Sequence, residues 1–305
     1  MNGIERAGNF YRTTVKPMLE TEFPAIADRI AVGIAGRGSE CFGFDDEISQ
    51  DHDFSTGVTM WISDADDREY GVALSRAYNR IASTLPKSRS SMLGFSEFGV
   101  CTIREFFQRH LGFPGAPESY QQWLYTPEYA FAEVLNGEVF CDHAGIFSSI
   151  RRTIATAMPR DVKLKKLAAR AAMMAQSGQY NFLRCHRHGE PGAAALALAE
   201  FVKYTVSMIF LLNDRFAPYY KWQFRALRQL PKLSGMAEQL ETLLLRELPA
   251  EEKNAIIEAV AAQITAELAA QKLSAAQGNY LEPHAFALMS QITNREIGSL
   301  HIMEG

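Results

Sequence analysis

Apolar residues fall into two textures along this chain. In the first half they come in short, dense runs closed by glycines or acids. In the second half they recur every three or four positions among Ala, Leu, Lys and Glu. Residues 30–35 are apolar and partly β-branched, the pattern of a buried strand, and run into the turn signal Gly36-Arg37-Gly38-Ser39. Residues 51–62 predict a second strand, with Phe54, Val58, Met60 and Ile62 as its apolar positions. A helix is expected over 68–85, where Tyr70, Val72, Leu74, Ala77, Tyr78 and Ile81 recur at near-helical spacing. A third strand is expected at 100–103, followed by a helix through Phe106, Phe107 and Leu111. A Pro/Gly loop spans 112–120, and a last strand at 138–140 closes in a turn at 142–145. Ahead of these elements, residues 10–30 read as a helical lead-in interrupted near Pro24.

From about Ser148 the pattern is helical throughout, over 148–157, 159–177, 193–213, 220–230, 234–248, 250–271 and 283–297. Pro159, Pro231 and Pro249 punctuate these segments, and Pro249 precedes Glu251 and Glu252 as a first-turn proline does. The expectation is an α/β domain at 1–147 and an all-α domain at 148–305.

Composition narrows the function classes. The chain has 305 residues, 47% of them hydrophobic, and a net charge of -4. That balance argues against a protein that coats nucleic acid, because phosphate binding is largely cationic. Four cysteines show no CxxC spacing, so zinc and disulfide frameworks are not expected, and buried free thiols are. The N-terminus carries no apolar leader, and apolar runs such as 206–212 are too short to span a bilayer, so no membrane partner is expected. The expected location is the cytoplasm.

The chemistry concentrates in one stretch, residues 36–54, GRGSECFGFDDEISQDHDF. A glycine followed by serine at a helix start lets the backbone approach phosphate and offers N–H donors, a hydroxyl and the positive dipole end. Gly38 and Ser39 are thus candidates for seating a nucleotide's β- and γ-phosphates. Asp51 and Asp53 stand two apart on an expected strand, so both carboxylates point one way. Two hard carboxylates plus a triphosphate make a magnesium site. His52 points to the other face and reads as a packed histidine. Asp45, Asp46 and Glu47 read as surface residues or as a supporting layer.

This arrangement resembles the polymerase-β-like nucleotidyltransferase superfamily, whose mark is a Gly-Ser turn and, about a dozen residues later, Asp-x-Asp on the next strand. Here eleven residues separate Ser39 from Asp51. The wider block is similar to a bacterial family of uncharacterised function, related in layout to the aminoglycoside and lincosamide nucleotidyltransferases. Further matches are GEVFCD at 137–142, Ile150-Arg151, GQYNFLR at 178–184 and PYYKW at 218–222. The resemblance implies a nucleotidyltransferase-like mixed-sheet domain and an activity that moves a nucleoside monophosphate, most simply AMP from ATP, onto a hydroxyl. It also implies a third carboxylate on a later strand. The expected strand at 98–103 contains no acid. Glu97, just before it, is the first candidate to activate the acceptor, and Asp142 is the second.

Outside that block, Lys221 and Arg184 are candidates for contacting the triphosphate. Each also reads as a structural residue: a lysine lying along aromatics, an arginine in an ion pair. Tyr219, Tyr220 and Trp222 read either as core or as the wall of an acceptor or base pocket. The acceptor stays open between a small hydroxylated molecule and a protein side chain, with a tRNA end disfavoured by charge. The alternative class is a nucleotide-binding regulatory protein of the same fold without catalysis.

Overall fold

The structure is a computed structural model that describes residues 2–46, 57–83, 85 and 98–305. It divides into two units, one of Met1–Glu118 with Ala130–Ala157 and one of Ser119–Tyr129 with Met158–Gly305. A four-stranded mixed sheet organises the first, and the second is all helix. The fold class is the expected one.

The strands are β1 (Ala31–Ile34), β2 (Thr59–Ile62), β3 (Gly99–Thr102) and β4 (Glu138–Cys141), in the order β3-β2-β1-β4. β1 pairs antiparallel with both β2 and β4, and β2 pairs parallel with β3. Every residue of β1 and β2 is buried, as the continuous apolar runs predict. Alternation sorts the two faces. Val32, Ile34, Met60 and Ile62 join one core with Ala7, Phe10, Val15 and Leu74 from the flanking helices. On the other face Trp61 stacks on Phe147, with ring centroids 3.9 Å apart, and meets Phe106 edge-on at 5.3 Å. Ala31 and Gly33 lie beside Trp61 and Thr59 in register, and a Cβ on Gly33 would come within 3.0 Å of the Trp61 ring. Small residues on β1 therefore make room for the largest one on β2.

Several boundaries differ from the sequence pattern. The lead-in helix starts at Gly3, with Asn2 and Glu5 forming a capping box, and passes through a π-helical turn at Tyr11–Val15. Two further helices, Tyr120–Tyr125 and Glu128–Leu135, occupy a stretch the pattern left unassigned. The expected helix at 283–297 is two, Leu281–Met289 and Arg295–Ser299. Asp161 Oδ2 accepts from the Thr293 N–H, the Thr293 hydroxyl and the Asn294 N–H, which holds the break open. Of the four free thiols only Cys41 is buried; Cys101, Cys141 and Cys185 are half-buried.

In the second unit Pro191–Leu212 is a helix of 22 residues, long and apolar enough to cross a bilayer. The sequence reading, which weighed only shorter uninterrupted runs, missed this. Phe201, Val202, Val206, Ile209 and Leu212 bury it in the core against Leu167, Ala171 and Met174 of Arg160–Met174, so it packs as a core helix. Gly178, in the π-helical stretch Ala175–Phe182, lies where a Cβ would strike the Phe201 ring.

Two consecutive lysines of Arg160–Met174 are buried, Lys165 and Lys166. Lys166 Nζ donates to the Leu124 carbonyl at 2.9 Å, and Lys165 Nζ donates to the His301, Ile302 and Glu304 carbonyls. Burial pushes both ammonium groups down from the ordinary 10.5 to about 8. The unfolded chain holds these protons up to about 10.5, so unfolding between the two values takes protons up. We therefore expect stability to rise as pH increases from about 8 towards 10.5. Lys166→Met should flatten that rise, read as urea midpoints across the window.

Candidate functional site

The turn at 36–39 leaves the C-terminal end of β1. Gly36 has φ 134, a conformation open to glycine. Its N–H donates to Asn136 Oδ1 at 2.9 Å, and its carbonyl accepts from Asn136 Nδ2 at 2.6 Å. One residue on, Arg37 Nε meets Glu133 Oε2 at 3.4 Å, and the same oxygen lies 3.0 Å from Nδ1 of the buried His110. Gly137, φ 67, brings its Cα against the Ile34 carbonyl, where a Cβ would collide with the backbone. Arg151 Nη2 donates to the Leu135 carbonyl at 2.7 Å and the Asn136 carbonyl at 2.5 Å, closing the end of the helix that supplies these groups. Burial lowers the Arg151 pKa. The turn is thus built onto residues 133–137, a hundred positions away. The sequence reading saw GEVFCD as a motif but missed Glu133 and Asn136; the Asn136-Gly137 dipeptide, a turn signal, was the mark available.

Gly38 caps the helix Ser39–Phe42, and Gly43 ends it at φ 65 in the left-handed region, as a close turn requires. The helix is a single turn, so the dipole part of the expectation is small here. What the turn offers an anion is the backbone and the Ser39 hydroxyl, both partly exposed. Glu40 is buried, and its carboxylate lies over Gly38, 3.5 Å from Ser39 Oγ. Asp45 belongs to neither surface nor site: its side chain is 3% exposed, and Oδ2 accepts from the Gly3 N–H at 2.9 Å and from Arg6 at 2.8 Å. It ties the N-terminal helix to the loop after the turn.

Asp51, His52, Asp53 and Glu97 lie outside the described residues. The described strands fix which of their ends lie beside the turn. Gly33 is level with Thr59, and Thr59 with Gly99. The end where β1 leaves for Gly36 is therefore the end where the chain enters β2 from Gly57 and β3 from Phe98. β4 starts at this edge too, since Glu138 pairs with Ile34. Cys141 pairs with Val32, which puts Asp142 at the opposite end. At about 3.3 Å per residue, that is well over 10 Å from the Gly38 turn. Asp142 Oδ2 instead accepts the Ser148 N–H at 2.7 Å, in the first turn of Ile146–Thr156. It is a capping acid, and its place rules it out as the third carboxylate at this edge.

The remaining candidates belong to the second unit. Arg184, exposed on Leu183–Arg187, lies 5.4 Å over the Tyr180 ring and donates to its hydroxyl at 3.2 Å. Lys221 is exposed in the first turn of Tyr220–Leu227. Tyr219 and Tyr220 line a cavity of about 620 Å³; Trp222 does not. Among the described residues no group of three His, Cys, Asp or Glu side chains could hold a metal ion. The donor set the sequence offers, two aspartates, suits a hard cation such as magnesium.

Residues 123–223 match the model of a family described as a domain of unknown function, DUF4037. That stretch contains the motifs at 137–142, 178–184 and 218–222 and excludes residues 36–54. No curated protein matches the chain. A solved structure described as a nucleotidyltransferase-like protein from Exiguobacterium sibiricum 255-15 is similar over 92% of this chain and 81% of that one, at 12% identity and a TM-score of 0.39.

The clamp on the turn is directly testable. Asn136→Ala removes both partners of the buried Gly36 peptide and is expected to cost about 1–3 kcal/mol, read from urea denaturation. Asn136→Asp keeps the acceptor and should recover part of the loss.

Proposed function

We propose that this protein is a magnesium-dependent nucleotidyltransferase that moves a nucleoside monophosphate, AMP from ATP, onto a hydroxyl of an acceptor molecule. The observation that supports this best is the shared edge of the sheet. The Gly36–Ser39 turn and the starts of β2 and β3 meet there. In the sequence the Asp51/Asp53 pair precedes β2 and Glu97 precedes β3. A turn for phosphate at that edge, with acids in the sequence ahead of the two strands that begin there, is the set of parts that in-line displacement at phosphorus requires.

In this reading Gly38 and Ser39 hold the β- and γ-phosphates through backbone N–H groups and the hydroxyl. Asp51 and Asp53 hold magnesium, which supplies neutralisation of the triphosphate's charge. The acceptor oxygen attacks the α-phosphorus while the bond to the bridging oxygen of the β-phosphate breaks. That electron pair leaves with pyrophosphate, and the hydroxyl proton passes to the Glu97 carboxylate. A small hydroxylated molecule is the acceptor favoured by the resemblance to antibiotic-modifying enzymes.

A second reading, a nucleotide-binding regulatory protein without turnover, draws support from Glu40. Its carboxylate over Gly38 sets negative charge beside the place a triphosphate would occupy. Pyrophosphate release from ATP and magnesium, measured alone and with cell extract as acceptor source, separates the two. Release should fall by about a hundredfold or more in Asp51→Asn and in Asp53→Asn. ATP binding without release at any acceptor tried would instead favour the second reading.

A further inference from the structure

No side chain given a role in the chemistry above lines the tyrosine-walled cavity of the helical unit. Its volume, about 620 Å³, is in the range of small-molecule pockets. Tyr129, Tyr204, Tyr219, Tyr220 and Phe224 give it ring walls. Tyr219 meets Tyr129 edge-on at 5.9 Å and Tyr220 at 4.4 Å, and the Tyr219 and Tyr220 hydroxyls are hydrogen-bonded. Three of these rings stay open to solvent, with Tyr129 41%, Tyr219 42% and Tyr220 65% exposed. Clustered exposed aromatics are costly unless something covers them.

The nearly buried charges in the cavity's lining are paired with each other. Glu128 Oε1 accepts from Arg170 at 2.8 Å and Ser207 at 2.7 Å, and Oε2 accepts the Ala217 N–H at 3.2 Å. Arg170 is further committed to Ser207 and to the Gly305 carbonyl. Both charged side chains are nearly buried, 8% and 11% exposed. At the mouth, Lys203 is held by Glu200 at 3.4 Å and lies 5.0 Å over the Tyr204 ring. The carboxylate that would draw a cation is neutralised, and the guanidinium that would draw an anion is spent. What the cavity still offers is π faces and phenol hydroxyls, beside aliphatic walls from Val202, Val206 and Leu244.

We infer that this cavity binds an uncharged, flat nitrogen heteroaromatic ring system, stacked against Tyr219 and Tyr220. The ring is either the base of a nucleotide or a separate small molecule. Two probes test it on the full chain without metal, so the result stands apart from group transfer: lumichrome, a bare tricyclic ring, and adenosine. Saturable quenching of protein fluorescence with Kd below about 1 mM is expected for at least one. Tyr219→Ala and Tyr220→Ala should each weaken it roughly tenfold, since a stacked ring is worth that much. Unchanged melting temperatures would confirm that both variants fold. Displacement of the probe by ATP assigns the pocket to the nucleotide's base; its persistence in saturating ATP assigns it to another molecule, and either supports the site. Failure of both probes to saturate at several times that concentration overturns the proposal. So does choline binding with loss in the same variants and no binding of either ring, which would mark a cage for cations.

Discussion

β1 is four residues long, wholly buried, and hydrogen-bonded on both sides. Its pairing directions decide the layout of the first unit. Because β2 runs against β1, the chain returns to the sheet at the edge it has just left, and the parallel β3 begins at that edge as well. A slip by one residue would turn Trp61 away from its stack on Phe147 and drive it into the opposite core. Gly33 leaves room in this register for that ring and for the β4 backbone beside it. The location of the candidate site thus follows from packing between aromatic rings and two small residues, not from the polar residues that would do chemistry.

The polar residues around the turn serve position. Asn136 and Glu133 shape residues 36 and 37, Arg151 fixes Asn136, and Asp45 ties down the loop beyond. These groups bond to protein partners, which gives a stiff support for a small, partly exposed feature, the Ser39 hydroxyl beside Gly38. A stiff support suits a site that must meet charged oxygens without rearranging.

Much of this was legible in the chain. The run at 30–35 announced itself because burial on both sheet faces demands continuous apolar residues, the half-buried run at 100–103 by its β-branched residues, and the helix around 68–85 because amphipathic helices demand a period near 3.6. Residues 120–135 escaped because their helices are short and their signals are caps rather than period: Ser119 with Gln122, and a proline at 127. The break near 290 escaped because Asp161, 132 positions away, makes it. The same limit applies to the candidate site. Gly38, Ser39 and the aspartate pair could be picked out by spacing, whereas Asn136 showed only the Asn-Gly turn signal and Glu133 acts through contacts with no local signature. Asp142 looked like a spare catalytic acid only until strand direction placed it at the far end of β4.

The clamp between Gly36 and Asn136 joins residues 100 positions apart, and the first unit resumes at Ala130 after a segment that belongs to the second. On the ribosome, the glycine-serine corner is made early and stays unfinished while a further hundred residues emerge. Strands β1 and β2 can pair in the meantime, but the corner's final shape waits for the chain to double back. Translation therefore reaches Asn136 before the corner can bind anything with its mature geometry, and only after Ala157 is the first unit whole.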